Sequence, residues 1–224
     1  MSPDSPPPVI AIDGPSASGK GTVAAQVARE LGFHYLDSGA LYRLAALAAL
    51  QGGTDLDDEE ALAARTAAMK VEFRDAGAWL DGREVTAALR TEEVSAAASR
   101  VAARPRVREA LLQRQRAFRR APGLVADGRD MGSVVFPDAP LKVFLTAGVE
   151  TRAERRYKQL MEKGMYAKMN DVVEELRRRD ERDTSRPVAP LKHYPDAIFL
   201  DTTGLTVEEA VRSILGWWRE RSRG

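Results

Sequence analysis

Short apolar runs alternate with longer segments of helical period along most of this chain. Val9 to Asp13 is apolar, rich in β-branched residues and too short for a helix, so it predicts a strand buried on both faces. Between Lys20 and Gly32 the apolar side chains recur at helical spacing, and the closing glycine is typical of a helix C-terminus. Phe33 to Asp37 predicts a second strand. Gly39 to Leu50 then predicts a second helix, with Asp37 or Ser38 as its N-cap.

The same alternation continues to the end of the chain. Three more short apolar runs predict strands, at Leu124–Ala126, Val143–Leu145 and Ile198–Leu200. A helix is predicted from Pro105, which suits a first helical turn, to about Arg120. The closing helix carries one apolar stripe of Val207, Val211, Ile214, Leu215 and Trp218. Strands separated by long helical segments predict an α/β fold with a central parallel sheet.

One stretch breaks this rhythm. Val71 and Phe73 alternate with charged residues, and the turn signals Asp75-Ala76-Gly77 and Asp81-Gly82 precede Arg83 to Val85. Alternation at period two with turns of this type predicts a small antiparallel sheet inserted into the α/β fold.

Composition limits the class of protein. A chain of 224 residues, 44% hydrophobic and 30% charged, predicts one compact domain with insertions. The 34 basic and 33 acidic side chains nearly cancel, which gives no reason to expect a nucleic-acid or membrane partner. Cysteine is absent, and His34 and His193 are isolated, so disulfides and a structural zinc site are not expected.

The N-terminal sequence MSPDSPPP lacks the basic flank and apolar stretch of a signal peptide. We interpret residues 1–8 as a flexible tail. No apolar run approaches the roughly 20 residues that a membrane helix needs, and we therefore expect a cytoplasmic location.

A phosphate-binding loop is the clearest motif. Gly14 to Lys20 fits the first seven places of the P-loop pattern and lies between a predicted strand and a predicted helix. In such a loop the backbone N–H groups and the helix N-terminus face the phosphates, and the lysine adds a point charge. The eighth place departs from the pattern, because Gly21 stands where Ser or Thr is usual and Thr22 follows. A direct hydroxyl ligand for Mg²⁺ is therefore not expected.

A P-loop indicates a nucleotide but no particular reaction. Guanine-specific switches need an Asn-Lys-x-Asp element, and the single asparagine, Asn170, is followed by Asp171. A motor ATPase would end an apolar strand in Asp-Glu, whereas the strand at Leu124 runs into Asp127-Gly128-Arg129. The residues alone thus indicate a P-loop kinase with a small phosphorylated acceptor.

Five motifs occur in the order in which they appear in the cytidylate kinases: GPSASGKGT, LDSGALYR, PRVREALLQRQRAF, ADGRDMGSVVFPDAP and ERDTSRPVAPL. The chain resembles the bacterial members of this family of nucleoside monophosphate kinases. The resemblance implies a P-loop three-layer α/β fold over residues 9–224, with a monophosphate-binding insertion at 39–105 and a helical lid at 152–187. It also implies ATP and Mg²⁺ as cofactors, and phosphorylation of CMP and dCMP to CDP and dCDP by direct in-line transfer.

The resemblance further implies roles for individual residues. The ATP phosphates would be held by Gly14, Pro15, Ser16, Ala17, Ser18, Gly19, Lys20, Gly21 and Thr22, with Arg156 as a weaker candidate. The acceptor would be held by Ser38, Tyr42, Arg43, Ser99, Arg108, Arg129, Asp130, Arg179, Asp183 and Arg186. Lys20, Arg129, Arg186 and Asp127 would act in catalysis, and Asp127 would accept from water bound to Mg²⁺.

Each assignment has an ordinary alternative. A single arginine such as Arg43 or Arg129 is commonly part of a surface ion pair, and Asp127 could be a helix cap. Arg152, Arg155 and Arg156 share a helical face, as Arg179, Asp183 and Arg186 do if their helix reaches Ser185. Most of these charges could form a solvated face with pairs such as Glu174 with Arg178.

Ser99, Arg108 and Asp130 match family positions that read cytosine. An ionised Asp accepts only and Arg donates only, which suits the amino group and N3 of cytosine. Two other functions stay open, another small-molecule P-loop kinase of UMP/CMP or shikimate type and a nucleotide-binding switch without turnover. We expect a monomer, because an enzyme with a large hinge motion has little need of a partner.

Overall fold

The computed structural model describes residues 6–74 and 77–223. Its strands are β1 (Val9–Asp13), β2 (His34–Asp37), β3 (Val71–Arg74), β4 (Gly77–Leu80), β5 (Arg83–Glu84), β6 (Leu124–Gly128), β7 (Leu141–Thr146) and β8 (Ile198–Asp201). Its α-helices are α1 (Lys20–Leu31), α2 (Ser38–Gln51), α3 (Glu59–Ala68), α4 (Glu92–Val101), α5 (Pro105–Arg116), α6 (Val149–Glu162), α7 (Met169–Ser185) and α8 (Val207–Arg223). The first five residues of the predicted tail and the predicted turn at Asp75-Ala76 lie outside the described residues.

Five strands form the main sheet, in the order β2-β6-β1-β7-β8. The described pairings of β1 with β6, β1 with β7 and β7 with β8 are parallel. Apolar side chains of these strands pack with α1 and α8 into one core cluster, in which Ile10, Ile12 and Ile214 are inaccessible to solvent. This arrangement confirms the predicted α/β fold class with a central parallel sheet.

The stretch that breaks the α/β rhythm is a separate sheet of three antiparallel strands, β3-β4-β5. The turn between β4 and β5 contains Asp81 and Gly82, both with positive φ, as a tight hairpin turn requires. The predicted antiparallel insert is therefore confirmed.

Two compact units make up the chain. The first contains residues 1–36 and 118–224, and hence the main sheet except for the end of β2. The second contains residues 37–117, with α2 to α5 and the small sheet. The functional boundaries at 39–105 and 152–187 stay predictions.

One edge of the main sheet positions the candidate site. In parallel strands the carboxyl ends meet at the same edge, and ligands of open α/β folds bind there. β1 ends at Asp13, next to the end of β6 at Gly128 and close to the end of β7 at Thr146. Immediately after β6 the chain forms a π-helical turn at Met131–Val135 that packs on β1.

The end of α5 differs from the prediction, and the start of α2 decides between the two predicted N-caps. α5 ends at Arg116 rather than near Arg120, and the second unit ends at the next residue, Ala117. There Arg119 donates to the Pro7 carbonyl at 2.6 Å and to Asp138 at 2.7 Å. α2 starts at Ser38, and its N-cap is Asp37. None of the described helices combines the length and the apolar character that a membrane span requires.

Candidate active site

The loop between β1 and α1 has the backbone geometry of an anion-binding loop. Ala17 and Gly19 adopt left-handed conformations, with φ of 59° and 91°. Left-handed residues within such a loop turn successive N–H groups toward one point, which is how a phosphate is held. At Gly14 the backbone passes so close to β7 that an added Cβ would lie 1.9 Å from the Leu145 carbonyl oxygen. A side chain at this position would force the loop away from the sheet.

The side chains of this loop are largely enclosed. Lys20, the first residue of α1, points its ammonium back along the loop and donates to the Pro15 carbonyl at 3.4 Å. The Ser18 hydroxyl is buried and makes no hydrogen bond within the described part of the chain. Thr22 lies on the exposed side of α1.

Two arginines of α6 donate hydrogen bonds to backbone carbonyls of the phosphate-binding loop. Arg152 donates to the Ser16 carbonyl at 3.3 Å and forms a two-pronged ion pair with Asp180 at 3.1 and 2.6 Å. Arg155 donates to the Ser18 carbonyl at 2.8 Å and to the Thr202 carbonyl at 2.7 Å. The sequence placed both arginines on one helical face but gave no sign of these contacts, because the carbonyl partners are more than 40 residues away along the chain.

Asp127, near the end of β6, lies beside the start of α1. A Cβ added at Gly21 would lie 3.2 Å from Asp127 Oδ2 and 3.5 Å from the Tyr35 hydroxyl. The Tyr35 hydroxyl is 3.4 Å from Asp127 Oδ1 and 3.4 Å from the Gly21 carbonyl, and can donate to either. The missing side chain at position 21 thus makes room for a carboxylate. Tyr35 was not predicted as a site residue, since a tyrosine in a strand is commonly a core residue.

Arg129 connects three parts of the first unit. Its Nη2 donates to the Ser16 hydroxyl of the loop at 2.8 Å, and its Nε donates to Asp183 of α7 at 2.7 Å. Only 15% of its side chain is exposed, so this is not the solvated surface pair that a single arginine commonly forms.

Asp183 is a largely buried carboxylate in the field of three arginines. α7 extends to Ser185, as a shared face for Arg179, Asp183 and Arg186 requires. Burial opposes ionisation of Asp183, but the charge and hydrogen bond of Arg129 and the charges of Arg179 and Arg186 outweigh it and lower the pKa of this carboxyl. Asp183 is therefore ionised at neutral pH. By contrast, Arg178 pairs with Glu174 at 2.7 Å on the exposed side of the helix.

In the second unit, the start of α2 carries three of the predicted residues. Asp37 caps the helix through Ala40 N at 2.9 Å, and its other oxygen accepts from Arg43 at 2.6 Å. This ion pair fixes the Arg43 guanidinium beside the first turn. Ser38 and Tyr42 are both buried.

Tyr42 and Arg108 are close to each other within the same unit. The Arg108 guanidinium lies 5.6 Å from the Tyr42 ring centroid and donates to the Ala102 carbonyl at 3.1 Å. Ser99, on α4, is buried, and among the described residues its hydroxyl has no hydrogen-bond partner. A buried hydroxyl of this kind is available to a ligand.

The predicted ligand contacts of Asp130 and Arg156 are not tested by the structure. Asp130 is 3% exposed and belongs to the first unit, whereas Ser99 and Arg108 belong to the second. Their joint contact with one base therefore stays a prediction. Arg156 is partly buried on α6, and its contact with ATP also stays a prediction. No group of three His, Cys, Asp or Glu side chains within residues 6–74 and 77–223 is arranged to hold a metal ion.

Comparison with known proteins gives a consistent picture. The sequence profile described as cytidylate kinase matches residues 10–220. The chain is 60% identical over 214 residues to the cytidylate kinase of Chromobacterium violaceum, covering 96% of each protein. It is 58% identical over 215 residues to that of Burkholderia pseudomallei, covering 96% of this chain and 94% of the relative. An uncharacterized protein of known structure from Eubacterium ventriosum shares the fold, with a TM-score of 0.50 at 14% identity over 94% of this chain and 97% of that one.

Proposed function

The chain belongs to the cytidylate kinase family, as its motifs predict, and from that premise we propose how its residues phosphorylate CMP with ATP. The profile match spans residues 10–220 and so includes the phosphate-binding loop, the arginines of α6 and α7, and the small sheet. The enzyme is a nucleoside monophosphate kinase. The roles of individual residues, the use of dCMP and the details of the transfer are our proposals.

The observation that carries the proposal is the position of Arg129. One guanidinium contacts Ser16 of the phosphate-binding loop at 2.8 Å and Asp183 of α7 at 2.7 Å. Transfer between two phosphate groups brings negative charges together, so cations fixed near the transferring group are needed. We assign Arg129 to the acceptor phosphate and the transferring group. Lys20 and the loop amides are assigned to the ATP phosphates.

The proposed reaction is direct in-line transfer. The acceptor is an already ionised phosphate, so no residue has to remove a proton from it. Catalysis then consists of positioning and charge neutralisation by Lys20, Arg129 and Arg186. Residues 152–187 are proposed to act as a lid that excludes water, because water in an open site would hydrolyse ATP. Arg179 and Asp183 are proposed to hold the ribose.

The region around Asp127 fits Mg²⁺ bound to nucleotide and water. Gly21 offers no hydroxyl ligand, and the space is instead lined by the Asp127 carboxylate and the Tyr35 hydroxyl. A carboxylate acceptor beside a hydroxyl suits water molecules coordinated to a hard cation. The ion would neutralise charge on the ATP phosphates. Asp127 would accept from its water ligands, and Tyr35 would orient Asp127.

The acceptor base is proposed to be read by Ser99, Arg108 and Asp130. Cytosine presents an amino donor and an N3 acceptor where uracil presents a carbonyl and an N–H. Asp130 can only accept when ionised and Arg108 can only donate, which matches cytosine and opposes uracil. A mismatch that leaves buried groups unpaired costs about 1 to 3 kcal/mol. Ser38, Tyr42 and Arg43 are proposed to bind the acceptor from α2.

A coupled assay of ADP release tests the function. With ATP and Mg²⁺, ADP release should depend on CMP, with dCMP also accepted and UMP and shikimate poor. Strong turnover of UMP or shikimate would support a different small-molecule kinase. Nucleotide binding without turnover of any acceptor would support a switch protein.

The base assignment has its own test. In Asp130→Ala the ratio of kcat/KM for CMP to that for UMP should shrink by about tenfold or more. If both substrates lose the same factor, Asp130 only holds neighbouring arginines and the base is read elsewhere. We also propose a cytoplasmic monomer that acts on free nucleotides without a nucleic-acid or membrane partner.

A further inference from the structure

Asp13 is a carboxylate at the candidate site to which the mechanism above gives no role. It is the last residue of β1, directly before the phosphate-binding loop. One of its oxygens accepts from Met131 N at 2.8 Å and the other accepts from Gly132 N at 2.9 Å. A single side chain thus holds two successive backbone amides of a segment that lies more than 100 residues away in the chain.

These two amides begin the π-helical turn at Met131–Val135. The first N–H groups of a helical segment have no partner within it and need acceptors from elsewhere. An ionised carboxylate offers two acceptor oxygens and no donor, whereas an asparagine of the same shape offers one oxygen and one donor. Two parallel N–H groups therefore select for Asp at this position.

A second link joins the same segments. Gly14 N donates to the Gly128 carbonyl at 3.3 Å, and Asp13 stands opposite Gly128 in the pairing of β1 with β6. Residues 128–132 are therefore hydrogen-bonded at both ends, through Gly128 to Gly14 and through Met131 and Gly132 to Asp13. Arg129, whose guanidinium contacts Ser16 and Asp183, lies within this attached segment.

We propose that Asp13 is a positioning residue for phosphoryl transfer, which fixes the backbone that carries Arg129 relative to the phosphate-binding loop. Its carboxylate touches neither substrate nor metal in this proposal and acts through Arg129. The inference rests on the proposed role of Arg129.

The surroundings of Asp13 argue against a role in stability alone. Burial raises the pKa of Asp13 to about 6, and the charge of Asp130 adds to that effect, while the amides of Gly132 and Met131 and the charge of Arg129 oppose it. The other titratable groups that line the small pocket at its carboxylate are Lys142 on β7 and Lys192, Tyr194 and Asp196 before β8. Keeping a carboxylate ionised in such a place is unfavourable for the folded state, and unfavourable features of this kind concentrate at functional sites.

The first experiment compares Asp13→Asn with the wild type and with Asp138→Asn. Asp138 follows the same π-helical turn but pairs with Arg119 and is 54% exposed, which makes it a matched control. We expect Asp13→Asn to remain folded at the assay temperature by circular dichroism and to lose about 10- to 100-fold in kcat. Its Kd for ATP, measured by calorimetry, should change by less than about threefold. Asp138→Asn should keep wild-type kcat.

Asp13→Glu is a second variant that restores two acceptor oxygens on a longer side chain. It should keep more turnover than Asp13→Asn. An unchanged kcat in Asp13→Asn would overturn the inference. So would equal losses of kcat in Asp13→Asn and Asp13→Glu when both variants are folded. Loss of folding in both variants would show a structural role and would also overturn it.

A double-mutant cycle separates positioning from general damage. If Asp13 acts through Arg129, then Asp13→Asn combined with Arg129→Ala should have a kcat within about twofold of Arg129→Ala alone. Losses that multiply would mean that Asp13 acts independently of Arg129, which would overturn the inference and leave the role of Arg129 intact. Near wild-type turnover of Arg129→Ala alone would instead contradict the proposed function.

Discussion

Replacing Asp13 by asparagine should change how the stability of this protein depends on pH. Burial raises the pKa of Asp13 from 3.8 to about 6 in the folded protein, so the folded state binds this proton more tightly than the unfolded state does. The stability contributed by this group is then fully present below pH about 4 and is lost as the pH rises through about 6. Asparagine does not titrate and removes this dependence.

The size of the effect follows from the gap of about 2 pKa units. At about 1.4 kcal/mol for each unit, ionisation of Asp13 lowers the free energy of unfolding by at most ~3 kcal/mol above pH about 7. Part of Asp13 faces a small pocket, and solvent there screens its charge. We therefore expect the difference in the free energy of unfolding between Asp13→Asn and the wild type to change by about 1 to 2 kcal/mol, in favour of Asp13→Asn, as the pH is raised from about 4.5 to about 7.5.

Urea unfolding of both proteins at the two pH values measures this difference. Other groups titrate in both proteins, so their contributions cancel in the comparison. Asp138→Asn is a control whose difference from the wild type should hardly change between these two pH values. Burial opposes ionisation of Asp138, but the hydrogen bond and the charge of Arg119 outweigh it and hold the pKa of this carboxyl below its usual value, so it is largely ionised in both states over this range. A difference between Asp13→Asn and wild type that does not change with pH would refute the reasoning, since Asp13 would then have the same pKa in both states.

Three further predictions concern turnover. Lys20→Met should keep the fold, checked by circular dichroism, and lose about 100-fold or more in kcat because a charge at the transferring phosphate is lost; a folded variant with near wild-type rate would contradict the P-loop assignment. Arg186→Ala should reduce kcat far more than Arg177→Ala, which removes an exposed side chain 3.8 Å from Glu150; small and equal losses would mean that both belong to a solvated face. Tyr35→Phe should raise the Mg²⁺ concentration for half-maximal rate by about three- to tenfold, since Asp127 loses an orienting donor; an unchanged Mg²⁺ dependence would remove Tyr35 from the site.

The sequence predicted those features that depend on local pattern. β1 and the start of α1 lie where the apolar run and the P-loop motif placed them, and the small antiparallel sheet follows from alternation at period two. The family was identified from five short motifs because a phosphate-binding loop needs fixed residue types at fixed spacing.

Contacts between distant parts of the chain were beyond this reasoning. Arg152 and Arg155 could be placed on one helical face, but their carbonyl partners at Ser16 and Ser18 depend on how α6 packs in three dimensions. The same holds for Asp13, whose partners are backbone amides that every residue but proline possesses. Side-chain pattern carries no information about which amide a carboxylate will meet. The end of α5 at Arg116 was missed as well.

Arg152 and Arg155 of α6 also determine the orientation of dipoles in the phosphate-binding loop. A peptide group is planar and its C=O and N–H point in opposite directions, so holding the Ser16 carbonyl aims the N–H of Ala17, and holding the Ser18 carbonyl aims the N–H of Gly19. If the loop binds the ATP phosphates as proposed, an arriving phosphate would meet amide dipoles whose orientation is already fixed. Little reorganisation energy would then be required in the proposed transfer from ATP to CMP, because the surroundings are set during folding.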